Sequence, residues 1–290
     1  MTLVRDLVSV FKLRIGIAIT LSALAGLAIQ PGQLPETGRI FGLALAVLIA
    51  SSAAGAFNQY IERDLDARMP RTRSRPFVAG RLRAGWHWLG LVSAMLAVAL
   101  GLAGTAGNGW AAFHVFAGAF TYGVVYTVWL KRRTPLNIVI GGAAGSFAVL
   151  AGAAVVDPVP APAAIVLAVV LFLWTPPHFW SLALAARDQY EAAGVPMLPV
   201  VVGERRCARI VLAHTLALSL LSLLPLAWGM GAIYGACALA GGLGFSWTSL
   251  ALLRRPDRRA ALLNFFASLG QLLLLVTGIF LDRFLAGDAS

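Results

Sequence analysis

Three oxygen-bearing side chains stand at helical spacing where a long apolar run ends. Asn58, Glu62 and Asp66 lie at i, i+4 and i+8 in the segment NQYIERDLDARMPRTRSRPFVAGRLR. That spacing sets them along one helical face, whereas Asp64 points away as long as the helix stays regular. Pro70 and Pro76 oppose a regular helix beyond this point, so Asp64 joins the group if the chain unwinds there. Carboxylates and an amide are hard oxygen ligands that suit Mg2+ rather than zinc, and such a site borrows further ligands from phosphate. Arg71, Arg73 and Arg75 follow directly, with forked guanidinium groups that match phosphate oxygens better than a point charge does. Acids for a metal and arginines for phosphate together imply a diphosphate ligand. The other reading is a solvated loop whose arginines only set topology. It leaves unexplained why Asn58 and Glu62 begin inside the membrane end of a span, where such groups are costly.

A second acidic pair, Asp188 and Glu191, sits one turn apart in LFLWTPPHFWSLALAARDQYEAAGVPMLPV. It reads either as a second half-site for metal or as a charged helix terminus in water. Upstream, Pro176 and Pro177 are expected to break or kink the helix and to set His178 among Trp174, Phe179 and Trp180. His178 then serves either a ligand, substrate or proton-handling role or a packed core role. His87, His114 and His214 lack such surroundings and read as structural. In LKRRTPLN, Lys131, Arg132 and Arg133 supply further cations, and Lys131 stands at a helix end where a diphosphate needs charge beyond the metal's.

The elements that position these groups are membrane helices. Fifty-nine per cent of the 290 residues are apolar and 12 per cent are charged, a balance that makes a bilayer the solvent. Apolar segments run over about 15–30, 40–61, 84–104, 111–130, 136–156, 161–186, 210–228, 231–253 and 260–281, each close to the length of a span. The expectation is an all-α polytopic membrane protein with nine spans, forming one integral membrane domain over 1–290. Arg5, Lys12 and Arg14 precede the first apolar run as in a secretory signal, but no small-residue cleavage site precedes Pro31, so the run reads as a retained first span. Cys207 and Cys237 have no paired spacing and suggest neither a disulfide framework nor a thiolate metal site.

The net charge of +11 takes its meaning from distribution. With connections numbered alternately, 21 of the 23 lysines and arginines fall on one side, leaving Arg39 and Arg283 on the other. By the positive-inside rule the rich side is cytoplasmic, with the N-terminus there and the C-terminus opposite. The basic charge is thus spent on topology and site, and no nucleic-acid partner is expected. Both acidic segments lie in long cytoplasmic loops, so the site is expected at that face.

Four stretches carry a resemblance: NQYIERDLDARMPRTRSRP from Asn58, YTVWLKRRTPLNIVIGGAAG from Tyr126, LWTPPHFWSLALAARDQY from Leu173, and GVPMLPV from Gly194. With nine spans, they resemble the UbiA-type intramembrane prenyltransferases, and within these the heme O synthase (protoheme IX farnesyltransferase) branch. TPPHFW followed closely by GVPMLP is the part similar to the heme branch alone. The resemblance implies a UbiA-type helical bundle with a cytoplasmic-side active site. It places Asn58, Glu62 and Asp66 on the first metal and diphosphate motif with Asp64 alongside, and Asp188 on the second, with Glu191 as a possible companion ligand. It implies that Arg71, Arg75 and Lys131, with Arg132 beside them, bind diphosphate, and that His178 and Trp174 belong to the heme side. Two departures stand out: Gln189 follows Asp188 where the family often has a second acid, and Ser146, Phe147 and Ala148 replace a double proline.

The implied reaction is Mg2+-dependent transfer of farnesyl from farnesyl diphosphate to a vinyl group of protoheme IX, with water added, in a bacterial inner membrane. Heme B is then a substrate rather than a retained cofactor. Association with heme A synthase or oxidase assembly is a further expectation. Prenylation of an aromatic acid or quinone precursor is the runner-up, since both acceptors are flat and apolar. A secondary transporter is the alternative of another class, disfavoured because the acids cluster at one membrane face rather than at the midplane.

Overall fold

A computed structural model describes residues 2–287, and every element in it is helical. The chain opens with α1 (Thr2–Val10) and α2 (Leu13–Ile29), bent by 45° about Phe11 and Lys12. Next come α3 (Thr37–Ile61) and the short α4 (Arg63–Ala67), then turns up to α5 (His87–Ala106). The helix α6 (Gly109–Phe120) runs straight into a π-helical stretch, Thr121–Leu130, and α7 (Asn137–Gly141) is followed at once by α8 (Ala143–Val156). The second half holds α9 (Pro162–Ala185), the short α10 (Arg187–Ala192) and α11 (Leu198–Val202), and α12 (Glu204–Leu221) with a 3-10 turn, Leu224–Trp228. It closes with α13 (Ala232–Arg254) and α14 (Arg258–Gly287).

Eight of the described helices are long and apolar enough to cross a membrane, and α1 with α2 makes a ninth when the bent pair counts as one span. The protein is a polytopic membrane protein. Proline does not interrupt α9 as expected: the helix passes through Pro176 and Pro177 to Ala185. On either side of the prolines a hydroxyl bonds back one turn, Thr175 donating to Leu171 O at 3.0 Å and Ser181 to Pro177 O at 2.6 Å.

Small residues bring α2 and α8 into backbone contact. A Cβ on Gly26 would land on the carbonyl of Val149, and one on Gly152 on the carbonyl of Ala23. Gly152→Val is therefore expected to cost more than about 3 kcal/mol, because a backbone carbonyl cannot step aside as a flexible side chain can. The check is the thermal midpoint of the purified variant in detergent.

Away from these helices, α9, α12, α13 and α14 share a buried polar seam. The Asn264 amide donates to Ser181 at 2.9 Å and its carbonyl accepts from Thr248 and Ser249 at 2.7 and 2.9 Å, while Ser249 reaches Thr215 at 3.0 Å. In a bilayer such groups have no water to turn to, so they pair across helices and fix their register.

Candidate active site

The end of α3 carries the first cluster. Asn58 and Glu62 are buried at 2 and 1 per cent exposure, and Asp66 on α4 at 3 per cent. The helix breaks at Glu62, whose φ and ψ are −90° and 8°, and restarts as α4. Asp66 N–H still donates to Glu62 O at 2.8 Å, so the i+4 relation survives the break.

Each of the three is held by a cation or shares one. Lys131 donates to Glu62 Oε2 at 2.5 Å, Arg75 to Asp66 Oδ2 at 2.6 Å, and Lys12 to Asn58 Oδ1 at 2.5 Å. Buried carboxylates need such partners, since an unpaired one costs several kcal/mol. Glu62 Oε1, in contrast, is buried with no hydrogen-bond partner among the described residues.

Asn58, Glu62, Lys12, Arg75 and Lys131 wall a polar cavity together with Arg71, Gln59, Tyr122, Tyr126, Thr175 and Tyr190, whereas Asp66 is joined to that wall through Arg75 and does not line it. The π-helical turn shapes this wall. Its bonds run i to i+5, as from Lys131 N–H to Tyr126 O at 2.9 Å, and so Tyr126 and Lys131 come to the same side although five residues apart. Tyr122 and Tyr126 stack with ring centroids 5.6 Å apart, and Thr127 accepts from Asn58 Nδ2 at 2.9 Å. From the opposite wall, Tyr190 on α10 accepts from Arg71 at 2.9 Å.

A second, apolar cavity continues from the first along α3, lined by Val47, Ala50, Ala54, Val115 and Ala148 among others. Lys12, Ile15, Tyr122 and Phe179 line both. His114, read as structural, is on the wall of this apolar space, stacked on Phe147 at 6.1 Å.

Several expected site residues lie elsewhere. Asp64 does not join the cluster, because α4 resumes helical phase and turns it outward, where Arg132 grips it through two bonds of 2.6 and 2.8 Å. The Arg132 guanidinium holds the Asp64 carboxyl below its ordinary range. Both side chains are more than two-fifths exposed and neither lines the polar cavity. Asp64→Asn is accordingly expected to change turnover less than threefold and stability by under about 1 kcal/mol, measurable in a prenyl-transfer assay beside a melt.

Asp188 and Glu191 are exposed and outside the cavity walls. Because α10 turns Tyr190 inward, its neighbours at −2 and +1 face away, and Glu191 pairs with Arg187 at 3.6 Å. Among the described residues no three His, Cys, Asp or Glu side chains form a group able to hold a metal by themselves.

Trp174 and His178 face α14 rather than the cavity. His178 Nδ1 is 2.7 Å from Ser268 Oγ, Trp174 donates to Ser268 O at 2.9 Å, and the imidazole lies between the rings of Trp174 and Phe265 at 4.3 and 4.5 Å. The face of α9 that meets the cavity is Thr175, Phe179 and Leu182, one helical step around. The sequence reading missed Tyr122, Tyr190 and Thr127 and took Lys12 only as a topology charge; the signal for the tyrosines was hydroxyls within an otherwise apolar span.

A model of the UbiA prenyltransferase family matches residues 19–270. The chain belongs to that family. Among its UbiA-family relatives, protoheme IX farnesyltransferase 2 of Paramagnetospirillum magneticum is 57% identical over 97% of this chain and 98% of that protein. Among solved structures, a digeranylgeranylglyceryl phosphate synthase matches with a TM-score of 0.77 at 16% identity, covering 98% of this chain and 99% of the other. A UbiA homolog from Archaeoglobus fulgidus bound to DMAPP and Mg2+ matches with a TM-score of 0.74 at 14% identity, over 93% and 99%. At such identities the structures share the UbiA fold with this chain.

Proposed function

We propose that this protein transfers the farnesyl group of farnesyl diphosphate to a vinyl group of protoheme IX, releasing diphosphate, with water completing the hydroxyethylfarnesyl side chain of heme O. One observation carries the prenyl diphosphate half: a cavity lined by two arginines, two lysines and Glu62 adjoins an apolar one, with Lys12, Ile15, Tyr122 and Phe179 common to both. An anionic head on an apolar chain fits that pair. The acceptor half rests on the 57% identity to a protoheme IX farnesyltransferase over nearly the whole chain.

Arg71, Arg75 and Lys131 hold the diphosphate by charge-assisted hydrogen bonds, trading part of their contact with Tyr190, Asp66 and Glu62 for it. The donor set suits Mg2+: Asn58 Oδ1, the unpartnered Glu62 Oε1 and Asp66 are too few for a full protein cage, and Mg2+ keeps waters and phosphate oxygens in its shell. When bound there, Mg2+ would neutralise charge on the leaving diphosphate. The tyrosine pair and Phe179 present ring faces where positive charge develops on the prenyl carbon, and the apolar walls exclude water until the acceptor attacks. His178 and Trp174 take no part in holding the diphosphate; they seat α9 on α14 and so set the wall that carries Thr175 and Phe179.

With the basic residues on one side, the polar cavity opens toward the cytoplasm in a bacterial inner membrane. Association with heme A synthase or oxidase assembly belongs to the same reading. The deciding experiment incubates purified protein with protoheme and farnesyl diphosphate, with and without Mg2+, and follows the heme by chromatography. A more hydrophobic, Mg2+-dependent heme is expected. Prenylation of an aromatic acid with protoheme left unchanged would reject the assignment.

A further inference from the structure

Lys12 and Arg71 are the two cations of the polar cavity that no carboxylate among the described residues pairs with. Lys131 has Glu62 and Arg75 has Asp66, and Arg71 reaches the Tyr190 hydroxyl from the arginine-rich loop. The Lys12 ammonium, among the described residues, meets only the neutral oxygens of Asn58 at 2.5 Å and Tyr122 at 2.8 Å, with the Tyr122 ring centroid 5.4 Å away. A positive charge drawn into a membrane protein without a counter-ion is costly, and an arriving anion removes that cost.

Its backbone is built for this placement. Lys12 is the sole non-glycine residue with positive φ among those described, at 48°, and it occupies the bend between α1 and α2. Such a conformation carries a strain of order 1 kcal/mol that persists only where the surroundings hold it. Gly55 on α3 makes room for the stem: a Cβ there would come within 3.3 to 3.4 Å of Lys12 Cβ, Cγ and Cδ. Asp6 and the Ser9 carbonyl anchor α1 ahead of the bend, accepting from Arg81 at 2.9 Å and from Gln59 at 2.6 Å.

Position then defines the role. Arg71, Arg75 and Lys131 line the polar cavity alone, whereas Lys12 lines both cavities. A prenyl diphosphate with its head in one and its chain in the other has its C1–O bond at their junction. We propose that Lys12 is a catalytic residue that leaves Asn58 and donates a hydrogen bond from Nζ to the bridging oxygen of the allylic diphosphate. As the C1–O bond breaks, its electron pair goes to that oxygen; the allylic cation then takes electrons from the acceptor double bond, and Lys12 stays protonated throughout. This rests on the prenyl diphosphate reading above.

The test compares the native protein with Lys12→Met, Lys12→Gln and Lys12→Arg in detergent. Three quantities are followed: the Kd of inorganic diphosphate with Mg2+ by calorimetry, kcat and KM for farnesyl diphosphate, and the thermal midpoint. A lost donor to developing charge predicts a fall in kcat of about a hundredfold for Met and Gln. KM and the diphosphate Kd are expected to move less than about tenfold, because three other cations hold the head. The Arg variant regains part of kcat by keeping the charge. Gln keeps a polar partner for Asn58 and so decides the matter if Met unfolds. Diphosphate bound by the native protein, with kcat unchanged within twofold in the Gln variant, overturns the role of Lys12 alone. Native protein that binds no diphosphate overturns the reading beneath it.

Discussion

Glu62→Gln is expected to reduce turnover about a thousandfold while leaving the protein folded in detergent. The substitution keeps volume and one acceptor oxygen but removes the charge on a side chain that is 1 per cent exposed. Two functions are then lost together. Oε2 no longer balances Lys131, which it meets at 2.5 Å, and Oε1, the buried oxygen without a partner, no longer offers an anionic ligand to a metal. These are separable. If Glu62 served only to neutralise Lys131, the residual turnover of Glu62→Gln would keep the native Mg2+ requirement, since every metal ligand would still be in place. A raised Mg2+ requirement is expected instead, because Glu62 Oε1 is an anionic ligand that the amide does not replace. Release of diphosphate measured across a Mg2+ series makes the comparison, and near-native turnover of the single variant would reject this placement of the metal.

Ala50→Trp is expected to change chain-length preference. Ala50 is 4 per cent exposed and lines the apolar cavity eight residues before Asn58, about 12 Å along the helix axis at 1.5 Å per residue. An indole there occupies space that only the far part of a long chain needs. Overpacking by this much typically costs 1–3 kcal/mol of stability, roughly. The kcat/KM for farnesyl diphosphate is expected to fall about a hundredfold, with dimethylallyl diphosphate affected several-fold at most. Retained turnover of the short donor also demonstrates that the variant is folded. Equal losses for both donors would mean that this cavity does not hold the chain.

Ala50 lies in, and Glu62 caps, a span that the amino-acid order already reveals. The apolar runs announced a membrane bundle because span length follows from bilayer thickness, and the i, i+4, i+8 spacing put Asn58, Glu62 and Asp66 together because helical geometry is local. Arg75 and Lys131, chosen as phosphate cations, do meet that cluster. What spacing could not supply was rotation and pairing. Whether α4 restarts in phase after Glu62 decided that Asp64 faces Arg132 and not the cavity. The turn of α10 that buries Tyr190 exposes Asp188 and Glu191, and one helical step on α9 sends His178 to Ser268 while Phe179 meets the cavity. Lys12 is the sharpest case. Its role depends on a bend, a positive φ and a glycine on another helix, 43 positions on in the sequence, at Gly55. Local physics fixes which groups share a helical face; which face looks inward is decided only when the helices pack.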